Sequence, residues 1–514
     1  MGKVNNEIGA SKVSKSPKAE TESIKKYFQF GIFFDGTGND MNTNYYKEGE
    51  KKELIPTSSC TSVQLAKRIE YKKNDHSPWD ADGIILSENY SNNNSEDPND
   101  YSNVALLYKS YNLDERNHPK SSDYEVHLFK SYIEGPGTTG WIDSSTLGGG
   151  FGRGTGGVIN LLSKAAKDIK IKLEGFTNIE NSEFHFHVFG FSRGATLARM
   201  FCTMLLNDNC PEKLLSNETK ALRTLIPRTT VTVDFLGVFD TVSSIGVEIN
   251  NVEEYGLYLH ANVKNAMHLC ASDEFRYHFA LTDFGDAVER PNISEFFIPG
   301  CHTDVGGTYK TGTRTLKIEY QSQTPDGVAI NGIVPSFVYN PFKIHTISPF
   351  SKNEGVEDIN LDVLEQLGWY SKSKGDKLSI NGNEYNITRE VFQGYNLLPF
   401  NLMFEKAEKS TDVPLFKKVP NDISRFTIPK KIEKLTEDIK QFISATNKER
   451  HIAFPGGKYN SEKYKELRQY YINYSAAPMH AVNHPSYDGS IICRNVVSGN
   501  EKGSTVKFMN IRYK

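Results

Sequence analysis

The chain has 514 residues, a formal net charge of −3, 26 Tyr and 30 Phe, and a mean hydropathy of −0.51. That length exceeds one simple core and predicts one large elaborated domain or two. The near-neutral balance gives no basis for nucleic-acid binding, and no run of roughly 18 apolar residues offers a membrane span.

Residues Met1 to Lys26 are rich in Lys, Ser and Glu and read as a disordered polar tail. They lack the apolar segment of a secretory signal peptide, so the expected place of synthesis is the cytoplasm. The 6 cysteines (Cys60, Cys202, Cys210, Cys270, Cys301 and Cys493) are scattered, with no Cys-x-x-Cys. They suggest free thiols in a reducing compartment, not disulfides or zinc.

Tyr27 to Asp35 is apolar and aromatic and reads as a buried central strand. It runs into Gly36-Thr37-Gly38-Asn39-Asp40, a loop at a strand's carboxyl end, where open α/β sheets bind ligands. An aspartyl-phosphatase signature, Asp-x-Asp-Gly-Thr, fails because Phe33 holds the first Asp position. An EF-hand lacks its further ligands here. The preferred reading gives the Gly36 and Thr37 backbone N–H groups to an oxyanion hole, against a plain strand-end turn. Lys47 to Asp100 is polar, with an Asn/Ser/Asp cluster from Asn89 to Asp100, and reads as a surface insertion. A helix over Tyr101 to Tyr111 and a strand over Glu125 to Ile133 follow.

Gly135 to Gly157 is Gly-rich and contains Gly152-x-Gly154-x-x-Gly157 before an expected helix, Val158 to Leu173. A dinucleotide site needs a strand directly before those glycines, and the strand ends far upstream. A loop bordering the active site fits better.

Phe184 to Phe189 is a β-rich run that enters Gly190-Phe191-Ser192-Arg193-Gly194. This Gly-x-Ser-x-Gly, with a helix from Ala195, fits the sharp strand-to-helix turn that lifts a nucleophilic serine above a sheet. The bland alternative is a turn whose glycines only allow close packing. The free N–H groups of the helix start favour negative charge beside Ser192. Thr229 to Val238 is a further buried strand, ending in Phe239-Asp240-Thr241-Val242, and an acid at that place suits an orienting carboxylate. Asp234 is the competitor, but sits inside the strand. Val263 to Phe279 reads as a helix holding Asp273-Glu274-Phe275-Arg276, a structural salt-bridge network in the bland reading. Ser294 to Gly300 is the last clear strand. It leads to Cys301-His302-Thr303-Asp304-Val305-Gly306-Gly307, and His302 on this Gly-rich loop completes the order Ser, Asp, His. His185 and His187, just before the serine turn, are poor candidates for the base, and His268, His278, His480 and His484 have no comparable setting. Asp304 fixes the loop in this reading.

Phe33-Phe34-Asp35-Gly36-Thr37, Gly190-Phe191-Ser192-Arg193-Gly194-Ala195, Gly237-Val238-Phe239-Asp240-Thr241-Val242, Asp273-Glu274-Phe275-Arg276 and Pro299-Gly300-x-His302-x-Asp304-Val305-Gly306-Gly307 stand in that order. Together they resemble the α/β-hydrolase family that includes the first group of bacterial type VI secretion lipase effectors. The resemblance spans Tyr27 to Tyr309, with an echo at Tyr470 to Val496. Phe239 stands where Trp is commoner in that family. The resemblance implies a phospholipase of A1 or A2 type that cleaves acyl esters of glycerophospholipids in a target cell's membranes. It implies Ser192 as nucleophile, Asp240 as orienter and His302 as base, with spike proteins and a cognate immunity protein as partners. Export without a signal peptide, for action at a target cell's periplasm and membrane, is the matching expectation. Arg193 N–H is one expected oxyanion donor, and Gly36 or Thr37 the other. No metal or organic cofactor is expected.

The expected fold is an α/β-hydrolase with a mainly parallel central sheet, helices on both faces, large insertions and a C-terminal accessory region. The expected divisions are a tail over 1–26, a catalytic core over 27–310 with an insertion at about 47–100, an accessory, lid or membrane-contacting region over 311–465, and a segment over 466–514 that packs back on the core. Within the accessory region, Val334 to Phe350 and Val391 to Phe404 are apolar and aromatic enough for a lid or a membrane-touching surface. A core helix is favoured for Leu397 to Ala407. Glu433 to Arg450 reads as a charged helix with a solvated face. Asp488-Gly489 and Ile491 to Val497 suggest a final hairpin. Esterase action on soluble esters and a non-enzymatic interaction role are the alternatives of other classes.

Overall fold

The computed structural model describes residues 25–39, 41, 101–137, 157–245, 251–309, 311–319, 364–365, 368–381, 384–417, 428–445, 452–453, 462–475, 486–488, 491–500 and 506–509. Most of the polar tail, the insertion, most of the Gly-rich stretch and Val334 to Phe350 lie outside the described residues.

Strands in chain order are β1 (Lys26–Phe34), β2 (Glu125–Ile133), β3 (Glu183–Phe191), β4 (Val231–Phe239), β5 (Val263–Ala271), β6 (Leu281–Thr282), β7 (Ile293–Ile298), β8 (Gly312–Glu319), β9 (Lys377–Asn381), β10 (Glu384–Val391), β11 (Ile452–Ala453), β12 (Ser486–Asp488), β13 (Ile491–Val497) and β14 (Val506–Met509). The helices are α1 (Asn103–Ser110), α2 (Val158–Leu173), α3 (Arg193–Leu206), α4 (Asn217–Leu225), α5 (Val252–Tyr255), α6 (His302–Gly306), α7 (Leu397–Lys409), α8 (Lys430–Ala445) and α9 (Glu462–Tyr470). A seven-stranded sheet in the order β11-β7-β5-β4-β3-β1-β2 forms the centre. Every pairing in it is parallel.

Strands buried on both faces read as continuous apolar runs, which is why Tyr27 to Phe34 and Phe184 to Phe191 carry so many phenylalanines. Their register sets Phe28 opposite Phe184, Phe30 opposite Phe186 and Phe33 opposite Phe189. Each pair stacks with ring centroids 5.1 Å apart, a geometry that adds roughly 0.5–1.5 kcal/mol per pair beyond burial. Phe28, Phe30 and Phe34 point into a core shared with α2 and α3, while Phe33 and Phe189 point into the core under α1 and α7. The sheet therefore has a helical layer on each face, an α/β architecture. In α2 the buried Val158, Leu161, Leu162, Ala165, Ala166, Ile169 and Leu173 repeat at three- and four-residue steps, the stripe an amphipathic helix needs. All of α3 is buried, as expected for the helix that follows the central strand.

Four expectations change. Val263 to Ala271 is not helical: it is β5, an inner strand between β4 and β7. Burial on both faces removes the alternation that marks a strand. His302 is not on an extended loop but is the first residue of α6, which Cys301 and Asp304 cap reciprocally. Val391 to Phe404 is not a membrane-touching surface: Val391, Leu397, Leu398, Phe400 and Met403 are buried. The core-helix reading of Leu397 to Ala407 agrees with α7. The hairpin near Ile491 exists, but it is not final, because β14 adds a third strand to β12 and β13. Within α8, Ile432 and Ile439 are buried under an otherwise charged face. Among the described residues, no helix is long and apolar enough to cross a membrane.

Candidate active site

Ser192 stands between the end of β3 and the start of α3 with φ 59° and ψ −128°. A non-glycine residue with this backbone is strained. The strain is held from all sides. Ser192 N–H donates to Phe239 O at 3.0 Å, and Ser192 O accepts from the Ala195 N–H at 3.0 Å and the Val242 N–H at 3.3 Å. Gly190 and Gly194 serve close approach as well. A Cβ on Gly194 would stand 2.2 Å from Asp35 O, and one on Gly190 would stand 2.5 Å from Gly194 O.

β4 ends beside β3, in register with it from Phe189 and Gly237 to Phe191 and Phe239. The next residue, Asp240, is fully buried with φ 44°. Its Oδ2 meets His302 Nδ1 at 2.6 Å. Its Oδ1 accepts the Ala271 N–H at 2.8 Å. Arg494 closes the carboxylate from the other side, with Nη1 on Oδ1 at 2.7 Å and Nη2 on Oδ2 at 2.8 Å. Burial alone would raise the Asp240 pKa, but Arg494 and His302 override it and hold the carboxylate well below its ordinary range. Burial pulls the His302 pKa down against the opposing pull of Asp240, so the imidazole is neutral near pH 7, the form a base needs. Its ring lies between Phe191, at 4.7 Å, and Phe279, at 5.0 Å between centroids. Because Phe191 precedes Ser192, this contact sets His302 against the serine turn.

Of the two expected donors after β1, Gly36 turns its N–H onto Asp35 Oδ1 at 2.7 Å. That proton is therefore committed to the loop. Asp35 Oδ2 accepts from Ser102 Oγ at 2.7 Å and Tyr132 OH at 2.5 Å, so Asp35 fixes the loop to α1 and β2. The Thr37 N–H makes none of the described hydrogen bonds. Thr37 Oγ1 accepts from Arg193 Nε at 2.6 Å, which ties this loop to the residue after Ser192. Burial lowers the Arg193 pKa to about 10.

Asp234 lies away from this centre. It pairs with His185 at 2.6 Å and Lys264 at 2.9 Å, in the interior of β4. Asp304 accepts from the Cys301 N–H at 3.0 Å, the loop-fixing role read for it. Glu274 and Arg276 form a buried pair at 2.8 Å, and Glu274 Oε2 also accepts the His302 N–H at 3.2 Å. Burial would raise the Glu274 pKa, but Arg276 brings it down to about 2.

Sequence reasoning missed the late residues around these acids. Arg468 meets Asp273 at 2.7 Å, Ser475 Oγ donates to Glu274 at 2.9 Å, and Asn473 Nδ2 donates to Asp304 at 2.6 Å. With Arg494 on Asp240, four buried acids are each met by a residue beyond 460. The available signal was Arg494 inside the apolar run Ile491 to Val497, since a charge there needs a buried partner.

His268, Cys270 and Glu295 bring potential metal-ligand atoms within 4.8 Å of one another. Both ring nitrogens of His268 are already used. Nε2 accepts the Thr241 N–H at 3.1 Å, and Nδ1 meets Glu295 Oε2 at 2.9 Å. One tautomer satisfies both contacts and leaves no lone pair for a cation. His268 and Glu295 form a buried hydrogen bond between β5 and β7, with Cys270 beside it.

The parallel sheet with helices on both faces, and the serine at its sharp strand-to-helix turn, define an α/β-hydrolase-like protein. Residues 207–324 match the family described as T6SS phospholipase effector Tle1-like, catalytic domain, where T6SS is the type VI secretion system. That stretch carries Asp240 and His302 and begins after Ser192. Similar solved structures include the Tle1 effector bound to the VgrG spike of the type VI secretion system, at 18% identity and a TM-score of 0.46, with 88% of this chain and 85% of that chain covered. An uncharacterized protein from Pseudomonas aeruginosa aligns at 15% identity and a TM-score of 0.39, with 84% of this chain and 52% of that chain covered. No curated protein matches the chain.

Proposed function

We propose that this chain is a serine-dependent phospholipase that hydrolyses acyl esters of glycerophospholipids, and that it acts as a type VI secretion effector. The observation that carries the chemistry is the 2.6 Å pairing of His302 Nδ1 with Asp240, beside a serine in a strained turn. In this reading His302 Nε2 takes the Ser192 hydroxyl proton as Oγ bonds to the ester carbonyl carbon. The proton passes to the departing alcohol, and water then frees the fatty acid by the reverse roles. Asp240 holds the imidazole with its proton on Nδ1. The N–H groups of Arg193 and Thr37 receive the carbonyl oxygen's developing charge. The phospholipid substrate and the effector role are supported by the family matched over 207–324.

The same proposal assigns residues 27–310 to the catalytic core and the stretch after 466 to its closure. It also covers delivery on a spike protein, action from the target's periplasm, and a cognate immunity protein that protects the producer.

The test incubates the purified chain with glycerophospholipid vesicles and follows products by mass spectrometry. Release of fatty acid and lysophospholipid, lost in Ser192→Ala, is the expected result. Intact lipid with rapid turnover of short soluble esters would replace this reading with a soluble esterase. No turnover of either would leave an interaction protein. Expression with an added signal peptide tests the effector role: Ser192-dependent toxicity in the periplasm, absent from the cytoplasm, is expected.

A further inference from the structure

The carboxylate that holds His302 is itself held by a residue from far along the chain. Arg494 and Asp240 are both fully buried. Arg494 spends its guanidinium on four acceptors: both oxygens of Asp240, the Ala271 carbonyl at 2.6 Å and the Phe279 carbonyl at 3.1 Å. It thereby spans the acid, the end of β5 and the residue whose ring walls His302. Its own position is fixed by the strand. Val496 and Val497 pair with Leu281 and Thr282 of β6, and Val496 packs on Cys270, Leu281 and Phe297.

We propose that Arg494 is a positioning residue for catalysis, holding the Asp240 carboxylate in the orientation and charge state that aligns His302. This rests on the reading of Ser192, Asp240 and His302 given above. The groups facing Asp240 are His302 from α6, Arg494 from β13, and Cys270 with the Ala271 N–H from β5. Glu274 and Arg276 stand behind His302. Burial pushes the Cys270 thiol well up, so it stays neutral. Among the described residues, Arg494 is the only arginine or lysine in hydrogen-bond contact with Asp240. A buried carboxylate without a counter-charge takes up a proton near neutral pH. Protonated Asp240 could no longer stabilise the imidazolium that forms in the reaction. A planar fork also fixes both oxygens at once, which an ammonium cannot do.

The test compares Arg494→Gln and Arg494→Lys in the full chain, using hydrolysis of a short soluble ester over about pH 5 to 9 and labelling of Ser192 by a fluorophosphonate. For folded Arg494→Gln, kcat falls by about 100-fold or more while KM stays within about threefold. The acid limb of its pH profile moves up by roughly one unit or more. Arg494→Lys keeps the wild-type acid limb and loses about tenfold in kcat. Wild-type kcat and acid limb in folded Arg494→Gln overturn the proposal, as does an unmoved acid limb with equal loss in both variants. If Arg494→Gln does not fold, Arg494→Lys decides: reduced kcat with unchanged KM supports the role, and wild-type kcat overturns it. Equal labelling of wild type and Ser192→Ala sinks the serine assignment itself, which separates that failure from this one.

Discussion

Asn473 grips both carboxylate oxygens of Asp304, its backbone N–H on Oδ2 at 3.0 Å and its side-chain Nδ2 on Oδ1 at 2.6 Å. Asp304 is thus occupied in fastening the late chain to the helix that starts at His302. Burial pushes its pKa up to about 6, against the lowering effect of its donors.

The two acids therefore separate by substitution. Asp240→Asn is expected to cut kcat about 10³- to 10⁴-fold, because an amide cannot hold the imidazole tautomer. Asp304→Asn turns an amide NH₂ toward existing donors and costs about 1–3 kcal/mol of stability, with kcat kept within about tenfold. Steady-state kinetics and denaturant midpoints on both variants check this. A dead Asp304→Asn beside an active Asp240→Asn would exchange their roles.

Ser192 carries backbone strain that only glycine, lacking a Cβ, relieves. Ser192→Ala loses several orders of magnitude in ester hydrolysis and keeps the strained backbone. Ser192→Gly is equally inactive but fits φ 59°, so it is more stable than Ser192→Ala by about 1 kcal/mol. Differential scanning calorimetry reads the difference. A less stable glycine variant would show that the turn is not strained.

His187 is buried against Tyr111, whose hydroxyl lies 2.9 Å from Nδ1. Burial lowers its pKa from 6.5 to about 4. The unfolded chain then binds the extra proton first, so stability is full above the unfolded value and is lost as pH falls from 6.5 through about 4. The loss from this group is about 3 kcal/mol. Burial also lowers the pKa values of His118 and His302, which steepens the same slope. A His187→Gln variant should show a shallower decline of melting temperature across that range. An unchanged slope would exclude His187 as a source.

Gly194 meets backbone, not a yielding side chain. Its absent Cβ would stand 2.2 Å from Asp35 O and 2.4 Å from Phe34 O. Gly194→Ala must push α3 off the end of β1 and is expected to cost about 3 kcal/mol or more. Urea denaturation measures it, and a cost below about 1 kcal/mol would mean that the two elements slide apart freely.

The parts legible in the sequence were those with a local signal. The phenylalanine runs announced β1 and β3, and Gly-x-Ser-x-Gly announced the turn at Ser192. The strand β5 was hidden because only Val263 in Val263 to Ala271 is β-branched, and Ala, Met and Leu suit helices. Asp240 and His302 were reachable because each follows a strand end in the expected order. Arg494, Arg468 and Asn473 were not, since their partners lie 169 to 254 positions away. No periodicity encodes a contact of that span.

The late arrival of Arg494 has a consequence for how the protein is made. A ribosome that has released residues up to 475 has released every strand of the seven-stranded sheet, along with Ser192, Asp240 and His302. It has not yet released the arginine that completes the Asp240 pocket. Domains fold as they emerge, amino end first, so the sheet can form on the ribosome while the carboxylate still lacks its cation. Vectorial synthesis thus gives an interval in which the nascent chain holds Ser192, Asp240 and His302 but not the full charge arrangement around Asp240. Translation stalled or cut short within that interval releases a fragment with the Asp240 pocket left open.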